Sequence, residues 1–197
     1  MTAALKALVV VDVQRDFCPG GALAVAHGDE IVPRLNAVIE AFERASLPMF
    51  FTRDWHPPNH ISFKALGGRW PPHCVMETRG AEFHPMLKVP MGAVVVSKGS
   101  RADAEAYSGF QGTDLERRLK DSGVGEIVIG GLATDYCVKE SALDALAAGL
   151  KVDVLEDCVM GVDLQEGDSE RALRRVEESG ARPVQSAQVL RQLGHDL

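Results

Sequence analysis

Short apolar, β-branched segments alternate with helical segments along this 197-residue chain, and this alternation restricts the fold more than any other feature. The clearest segment is residues 8–11, an unbroken apolar run typical of a strand that is covered on both faces. Five more strands are predicted at residues 49–52, 93–96, 126–130, 152–155 and 182–184. Because strands that alternate with helices form right-handed βαβ units, we expect an α/β fold: a doubly wound, mostly parallel six-stranded sheet with helices on both faces.

The helical segments follow the same alternation. Residues 30–45 carry apolar side chains at helical spacing, and Thr113 with Glu116 matches a capping box that opens a helix ending near Lys120. Further helices are predicted at residues 136–148 and 168–179, with Ser186 capping a final one. No linker or repeat divides the chain, so we expect a single domain over residues 1–197.

Charge and cysteine content exclude several classes of protein. The chain has 28 acidic and 21 basic residues and no basic patch, which argues against a nucleic-acid partner or an anionic membrane surface. No apolar run reaches the roughly 18 residues of a membrane span. The four cysteines are widely scattered. A core of this size needs no disulfides, so we expect free thiols and a cytoplasmic location.

Parallel α/β sheets bind ligands beyond the carboxyl ends of their strands. The chemistry-bearing residues at such ends are Asp12, Asp54, Lys98, the turn 131–137 and Asp157. The segment 55–90 also breaks the alternation, because it is rich in Pro, Gly and His and too long for an ordinary connection. We therefore expect a functional loop there.

Metal-ligating residue types are concentrated in this loop. Asp54 and His56 are two residues apart at a strand end, so an extended backbone directs both to one side, and His73 follows in the same loop. One carboxylate and two imidazoles suit Zn, Fe or Mn, with His60 as a further candidate ligand. The alternative is a set of solvated loop histidines, but the clustering favours a metal.

Cys137 follows a predicted strand and a turn, and it opens a predicted helix. The positive end of the helix dipole would lower the pKa of its thiol, and the free backbone N–H groups of the turn would face a developing oxyanion. The alternative, a small buried apolar residue, is equally compatible with this position alone.

Asp12 and Lys98 are charged residues that end apolar strands. Asp12 would accept the thiol proton and Lys98 would keep Asp12 ionised, although a structural ion pair explains either residue taken singly. Phe17, Trp70 and Tyr107 lie beside these groups in sequence and could enclose a flat ring, or could simply pack.

Together these motifs resemble the nicotinamidase branch of the isochorismatase-like cysteine hydrolases. The matching stretches, in family order, are VDVQRDF (11–17), DWHPPNH (54–60), WPPHCV (70–75), KG (98–99), YSGF (107–110) and GLATDYCV (131–138). The metal segment is the most specific part, because many other members of the superfamily keep the Asp–Lys–Cys triad without it.

The resemblance implies a role for each matching residue. Asp12, Lys98 and Cys137 would be the catalytic triad, and Asp54, His56 and His73 would bind the metal. Some family members have a glutamate ligand near position 65, where this chain has Ala65, so His60 or Ser62 would fill that role directly or through water.

Phe17 and Trp70 would flank the substrate ring. A cis peptide between Leu132 and Ala133 would direct the Ala133 N–H, with that of Cys137, into an oxyanion hole.

The activity implied by the resemblance is hydrolysis of nicotinamide to nicotinate and ammonia, with pyrazinamide as a further substrate. The resemblance also implies one divalent metal ion, with zinc foremost and iron or manganese as alternatives. It further implies a homo-oligomeric assembly. Two other readings stay open at this stage. One is a related hydrolase of another small amide or a vinyl ether, which has no need of the metal ligands. The other is a non-catalytic α/β module, which has no use for a helix-start cysteine beside a lysine and an aspartate.

Overall fold

The computed structural model describes residues 4–194, and it contains one six-stranded sheet in which every neighbouring pair is parallel. The strand order is β3-β2-β1-β4-β5-β6, which is the doubly wound arrangement expected from the sequence. The strands are β1 (Leu5–Val11), β2 (Met49–Asp54), β3 (Val94–Lys98), β4 (Val124–Leu132), β5 (Lys151–Met160) and β6 (Arg182–Val184).

In the described part of the chain, five α-helices cover the two faces of the sheet: α1 (Val32–Arg44), α2 (Leu115–Asp121), α3 (Lys139–Ala147), α4 (Asp168–Glu178) and α5 (Ser186–Gln192). Two predicted caps are wrong. Before α2, the Thr113 hydroxyl accepts the N–H of Leu115, but no capping box closes, because Asp114 and not Thr113 immediately precedes the helix. Before α5, the capping box is formed by Gln185 and Gln188, since Ser186 is already the first helical residue.

The core consists of two apolar layers, one on each face of the sheet. Alternate residues of β1 enter different layers: Leu8 and Val10 pack with α1 and α5, whereas Val9 and Val11 pack with α2, α3 and α4. Each fully buried aliphatic side chain of this kind contributes about 1.5–3 kcal/mol. Burial on both faces explains why β1 is an unbroken apolar run. Within residues 4–194, no helix is long and apolar enough to cross a membrane.

The strand order brings the candidate site together. Asp12 follows β1, Asp54 ends β2 and Lys98 ends β3, while the turn with Cys137 follows β4. These four strands are consecutive in the sheet, and all of them end at the same edge because they are parallel. Four segments that are far apart in sequence therefore deliver their side chains to one place.

The close contact between β1 and β4 depends on Gly131. This residue has φ +129, and a Cβ atom there would lie 2.1 Å from the carbonyl oxygen of Val11. Gly123 also has a positive φ, of +70, but a Cβ atom at that position would meet nothing within 4 Å. An added methyl group at Gly123 would meet only the cost of a left-handed φ, whereas at Gly131 a more extreme φ and steric overlap would act together.

We expect Gly123→Ala to lower the free energy of unfolding by about 1 kcal/mol, the cost of a positive φ alone. Gly131→Ala should lower it by about 3 kcal/mol or more, because the new methyl group overlaps the backbone of β1. Urea denaturation of the three proteins checks this expectation. Equal losses for the two variants would contradict the role assigned to the β1–β4 contact.

Candidate active site

The structure brings Asp12, Lys98 and Cys137 into one buried cluster. The Lys98 Nζ atom lies 2.8 Å from Asp12 Oδ2 and 3.5 Å from Cys137 Sγ. A carboxylate oxygen of Asp12, one of Asp54 and the Cys137 sulfur all lie within 4.8 Å of one another. The thiol, the carboxylate and the ammonium can therefore exchange or stabilise charge directly.

Lys98 is shared by two carboxylates. Its ammonium also donates a hydrogen bond to Asp54 Oδ1, and another of 3.3 Å to the carbonyl of Ala106. Burial opposes the charge on Lys98, but Asp12 and Asp54 outweigh it, and the pKa of the ammonium is raised well above its ordinary value. Lys98 is therefore a permanent cation at the centre of the site.

Asp12 is also held by Thr52, in a contact that the sequence does not predict. Thr52, which is fully buried in β2, donates a hydrogen bond of 2.7 Å from its hydroxyl to Asp12 Oδ1. The backbone N–H of Asp12 in turn donates to the carbonyl of Thr52 at 3.2 Å. In the sequence Thr52 reads as an ordinary β-branched strand residue, so no signal distinguished it.

The Cys137 turn combines two unusual backbone features. The Leu132–Ala133 peptide bond is cis, and residues Thr134–Val138 form a single π-helical turn that leads into α3. The carbonyl of Ala133 accepts the N–H groups of Tyr136 and Val138, both at 3.1 Å. The Ala133 N–H, in contrast, has no hydrogen-bond acceptor among residues 4–194, and Ala133 lines the same cleft as Cys137.

The predicted pKa shift of Cys137 is wrong in direction. Burial, with Asp12 and Asp54 nearby, raises the pKa of its thiol well above the ordinary value, and Lys98 only partly opposes this. Burial also raises the pKa of Asp12, against the effect of Lys98. The resting site therefore holds a neutral thiol beside a carboxylate that is more basic than usual.

The expected metal ligands converge in the same cleft. One ligand atom from each of Asp54, His56 and His73 lies within 4.8 Å of the other two. His56 Nδ1 donates to the carbonyl of Gly99 at 2.9 Å, and His73 Nδ1 donates to that of Pro71 at 2.8 Å. These bonds leave both Nε2 atoms as acceptors, at 3.4 Å and 3.9 Å from Asp54 Oδ2.

This donor set fits a divalent metal ion. Two neutral imidazoles and one carboxylate are the ligands that Zn²⁺ and similar ions prefer, with the second nitrogen of each ring fixed by a carbonyl. Burial lowers the pKa of His73, which keeps it neutral, whereas Asp54 outweighs burial at His56 and raises the pKa of that ring, so metal binding there would release a proton. Lys98 and His56 overcome the effect of burial on Asp54 and hold the pKa of its carboxyl well below the usual range.

His60 and Ser62 lie beside this set. The His60 ring stacks on His56 with centroids 4.1 Å apart. However, His60 Nδ1 accepts from the Ser62 hydroxyl at 2.7 Å, and His60 Nε2 donates to the carbonyl of Ala104 at 3.1 Å. Both ring nitrogens are thus engaged, and the structure does not bring His60 into the three-residue cluster.

Aromatic side chains enclose the cleft. The predicted wall residues Phe17, Trp70 and Tyr107 all line it, and the Trp70 indole donates to the Tyr107 hydroxyl at 3.0 Å. Tyr136 completes this wall, with its ring centroid 5.3 Å from that of Trp70. Five further residues line the cleft without having been predicted from the sequence: Leu23, Glu105, Ala106, Tyr136 and Val162. Only Tyr136 had a signal, its place in the 131–138 motif.

Comparison with known proteins agrees with this fold. Residues 6–188 match the model of the isochorismatase domain, so the chain belongs to the isochorismatase family. It is similar to the nicotinamidase of Escherichia coli, with 39% identity over 89% of this chain and 92% of that protein.

Two solved structures are similar throughout. The pyrazinamidase of Pyrococcus horikoshii in complex with zinc is 50% identical, with a TM-score of 0.88, over 91% of this chain and 98% of that one. PnC1 of L. infantum in complex with nicotinate is 32% identical, with a TM-score of 0.87, over 95% and 96% of the two chains.

The hydrogen bonds of the histidines lead to a prediction about metal binding. We expect His73→Ala to weaken zinc affinity by at least about 100-fold, because it removes a ligand, and His60→Ala by at most about 10-fold, because it removes a ring packed on a ligand. Competition with a chromogenic zinc chelator measures both. Equal losses would contradict this division and place His60 in the ligand set.

Proposed function

We propose that this protein is a metal-dependent amidohydrolase that converts nicotinamide to nicotinate and ammonia through a thioester on Cys137. One observation carries the proposal: Asp54 belongs both to the cluster with Asp12 and Cys137 and to the cluster with His56 and His73. A nucleophile and a metal site thus share one small aromatic cleft. The similarity to the E. coli nicotinamidase and to the nicotinate complex supports the same substrate class.

The first half of the reaction forms the thioester. Asp12 takes the proton of the Cys137 thiol as the sulfur attacks the amide carbon, and its raised pKa makes it a better proton acceptor. The oxyanion that forms is stabilised by the backbone N–H groups of Ala133 and Cys137. Asp12 then passes the proton to the leaving nitrogen, the C–N bond breaks and ammonia departs.

The second half releases the acid. Water attacks the thioester carbon while Asp12 accepts a proton from it, the C–S bond breaks, and the proton returns to the Cys137 sulfur. Lys98 stays charged throughout, so it stabilises the negative charge whether this lies on Asp12 or on the sulfur. No organic cofactor is required.

Asp54, His56 and His73 would hold the metal ion, and we propose zinc, with iron and manganese as the alternatives that this ligand set also suits. When bound, the ion supplies a Lewis-acid position that orients the ring nitrogen of the substrate. Phe17, Trp70 and Tyr107 would enclose the flat ring of nicotinamide, and the same side chains would accept the flat ring of pyrazinamide. Association of copies and a cytoplasmic location stay predictions.

The decisive test is ammonia release from nicotinamide. We expect the metal-loaded protein to release ammonia and nicotinate in equal amounts, and Cys137→Ala to release none above background, because it lacks the nucleophile. Chelation should abolish turnover and re-addition of zinc should restore it.

Two results would overturn the proposal. Ammonia release by Cys137→Ala at the native rate would exclude the thioester. Full turnover and substrate binding after chelation would exclude the metal from the reaction and would favour a related hydrolase of small amides that has no need of the metal ligands.

The Thr52–Asp12 hydrogen bond gives a second prediction for the same assay. Thr52→Val removes the donor and leaves a buried carboxylate oxygen unpaired, so kcat should fall by about 10- to 100-fold while KM changes little. Thr52→Ser keeps the hydroxyl and should retain most of the activity. If the valine and serine variants turn over equally fast, the hydroxyl does not position the base.

A further inference from the structure

Gln14 and Asp16 follow β1 and supply no metal ligand, yet their side chains bind the backbone of the segments that do. Gln14 reaches Asp54, and Asp16 reaches Cys74, the residue after His73. In the sequence both residues lie within the 11–17 motif, and nothing there indicates a role for either.

Gln14 brackets the ligand Asp54 on both sides. The Asp54 N–H donates to Gln14 Oε1 at 2.7 Å, and Gln14 Nε2 donates to the Asp54 carbonyl at 2.8 Å. The second hydrogen of the same amide is donated to the carbonyl of Ala81 at 2.9 Å. Because Gln14 is fully buried, its amide needs these three hydrogen bonds to pair its polar atoms. Two of the three bonds fix the backbone of Asp54, the last residue of β2.

Asp16 performs the equivalent role for the other two ligands. Its Oδ2 accepts the N–H of Cys74 at 2.8 Å, and its Oδ1 accepts that of Ala22 at 3.1 Å. The carbonyl of Cys74 in turn accepts the N–H of His56 at 3.0 Å. One series of hydrogen bonds therefore links Asp16 to the backbone beside His73 and to that of His56.

Two features indicate that the backbone at Cys74 needs this support and that the Asp16 carboxylate is held in place. Cys74 has φ +45, a conformation that a non-glycine residue keeps only when its surroundings impose it. The Asp16 carboxylate also packs against Gly80, where a Cβ atom would lie 2.1 Å from Asp16 Oδ2. The carboxylate is thus confined between Gly80 and the Cys74 N–H.

We propose that Gln14 and Asp16 are positioning residues for the metal centre, and that they set its affinity for a divalent ion without contacting it. Metal sites tolerate ligand displacements of only a few tenths of an ångström, so residues that orient ligands typically contribute about 10- to 100-fold in affinity. The proposal rests on the proposed function only in requiring that Asp54, His56 and His73 bind the metal.

The test measures zinc affinity of metal-stripped protein by competition with a chromogenic chelator, independently of turnover. Gln14→Met and Asp16→Asn should each bind zinc about 10- to 100-fold more weakly than the parent. Gln14→Glu keeps the acceptor for the Asp54 N–H, and its affinity should lie between those of the parent and Gln14→Met.

The matched control is Ser141→Ala. The Ser141 hydroxyl is fully buried and also holds a loop by its backbone, accepting the N–H of Gly109 at 2.8 Å, but it belongs to α3 and touches no metal ligand. Its loss should lower thermal stability and leave zinc affinity unchanged. This variant separates positioning of the ligands from general destabilisation.

The proposal is overturned if Gln14→Met and Asp16→Asn bind zinc within about 2-fold of the parent, or if Ser141→Ala loses as much affinity as they do. Should Gln14→Met not fold, Gln14→Glu and Asp16→Asn decide between the same outcomes. Ammonia release by the parent is measured separately. A parent that binds zinc but does not hydrolyse nicotinamide contradicts the proposed function, and the zinc affinities still decide the role of Gln14 and Asp16.

Discussion

The site depends on one buried ammonium group. Lys98 is 1% exposed and lies between the carboxylates of Asp12 and Asp54, so it cannot be removed without leaving two uncompensated carboxylates in the interior. Breaking such a buried pair typically costs about 3–5 kcal/mol. Two carboxylates and one ammonium leave a surplus negative charge. A cation beside Asp54 Oδ2 relieves that surplus, which is an electrostatic reason for a metal site next to the thiol.

This arrangement makes the two halves of the site inseparable. Asp54 uses one oxygen for Lys98 and directs the other towards His56 and His73, so the position of the proposed metal ligands is fixed relative to that of the proposed nucleophile, Cys137. The strand order provides the frame, because β3, β2, β1 and β4 are neighbours and end at one edge. A small planar substrate held at these ligands would thereby meet the sulfur of Cys137 with little conformational freedom left to lose.

The sequence predicts most of the fold and those site residues that have distinctive chemistry, because apolar runs mark the strands and a carboxylate with two histidines stands out in a loop. It does not reveal which residues form hydrogen bonds with one another in the folded chain. Thr52 and Gln14 act through contacts with residues 40 positions away, and nothing in their own neighbourhood distinguishes them. The predicted direction of the Cys137 pKa shift was wrong for the same reason. The sequence shows that Cys137 lies near the start of a helix, whereas its burial beside two carboxylates is a property of the assembled fold.

A nucleophile that is protonated at rest is a consequence of this burial and not an obstacle to the reaction. Burial raises the pKa of the other three cysteines too, to about 11 for Cys18, about 12 for Cys158 and well above the ordinary value for Cys74. What distinguishes Cys137 is therefore not a stable thiolate but its neighbours, a basic carboxylate that can take the proton and a fixed ammonium that stabilises the charge in either position. The thiolate needs to exist only while the substrate carbon is in reach, which protects the sulfur from oxidants and alkylators between turnovers.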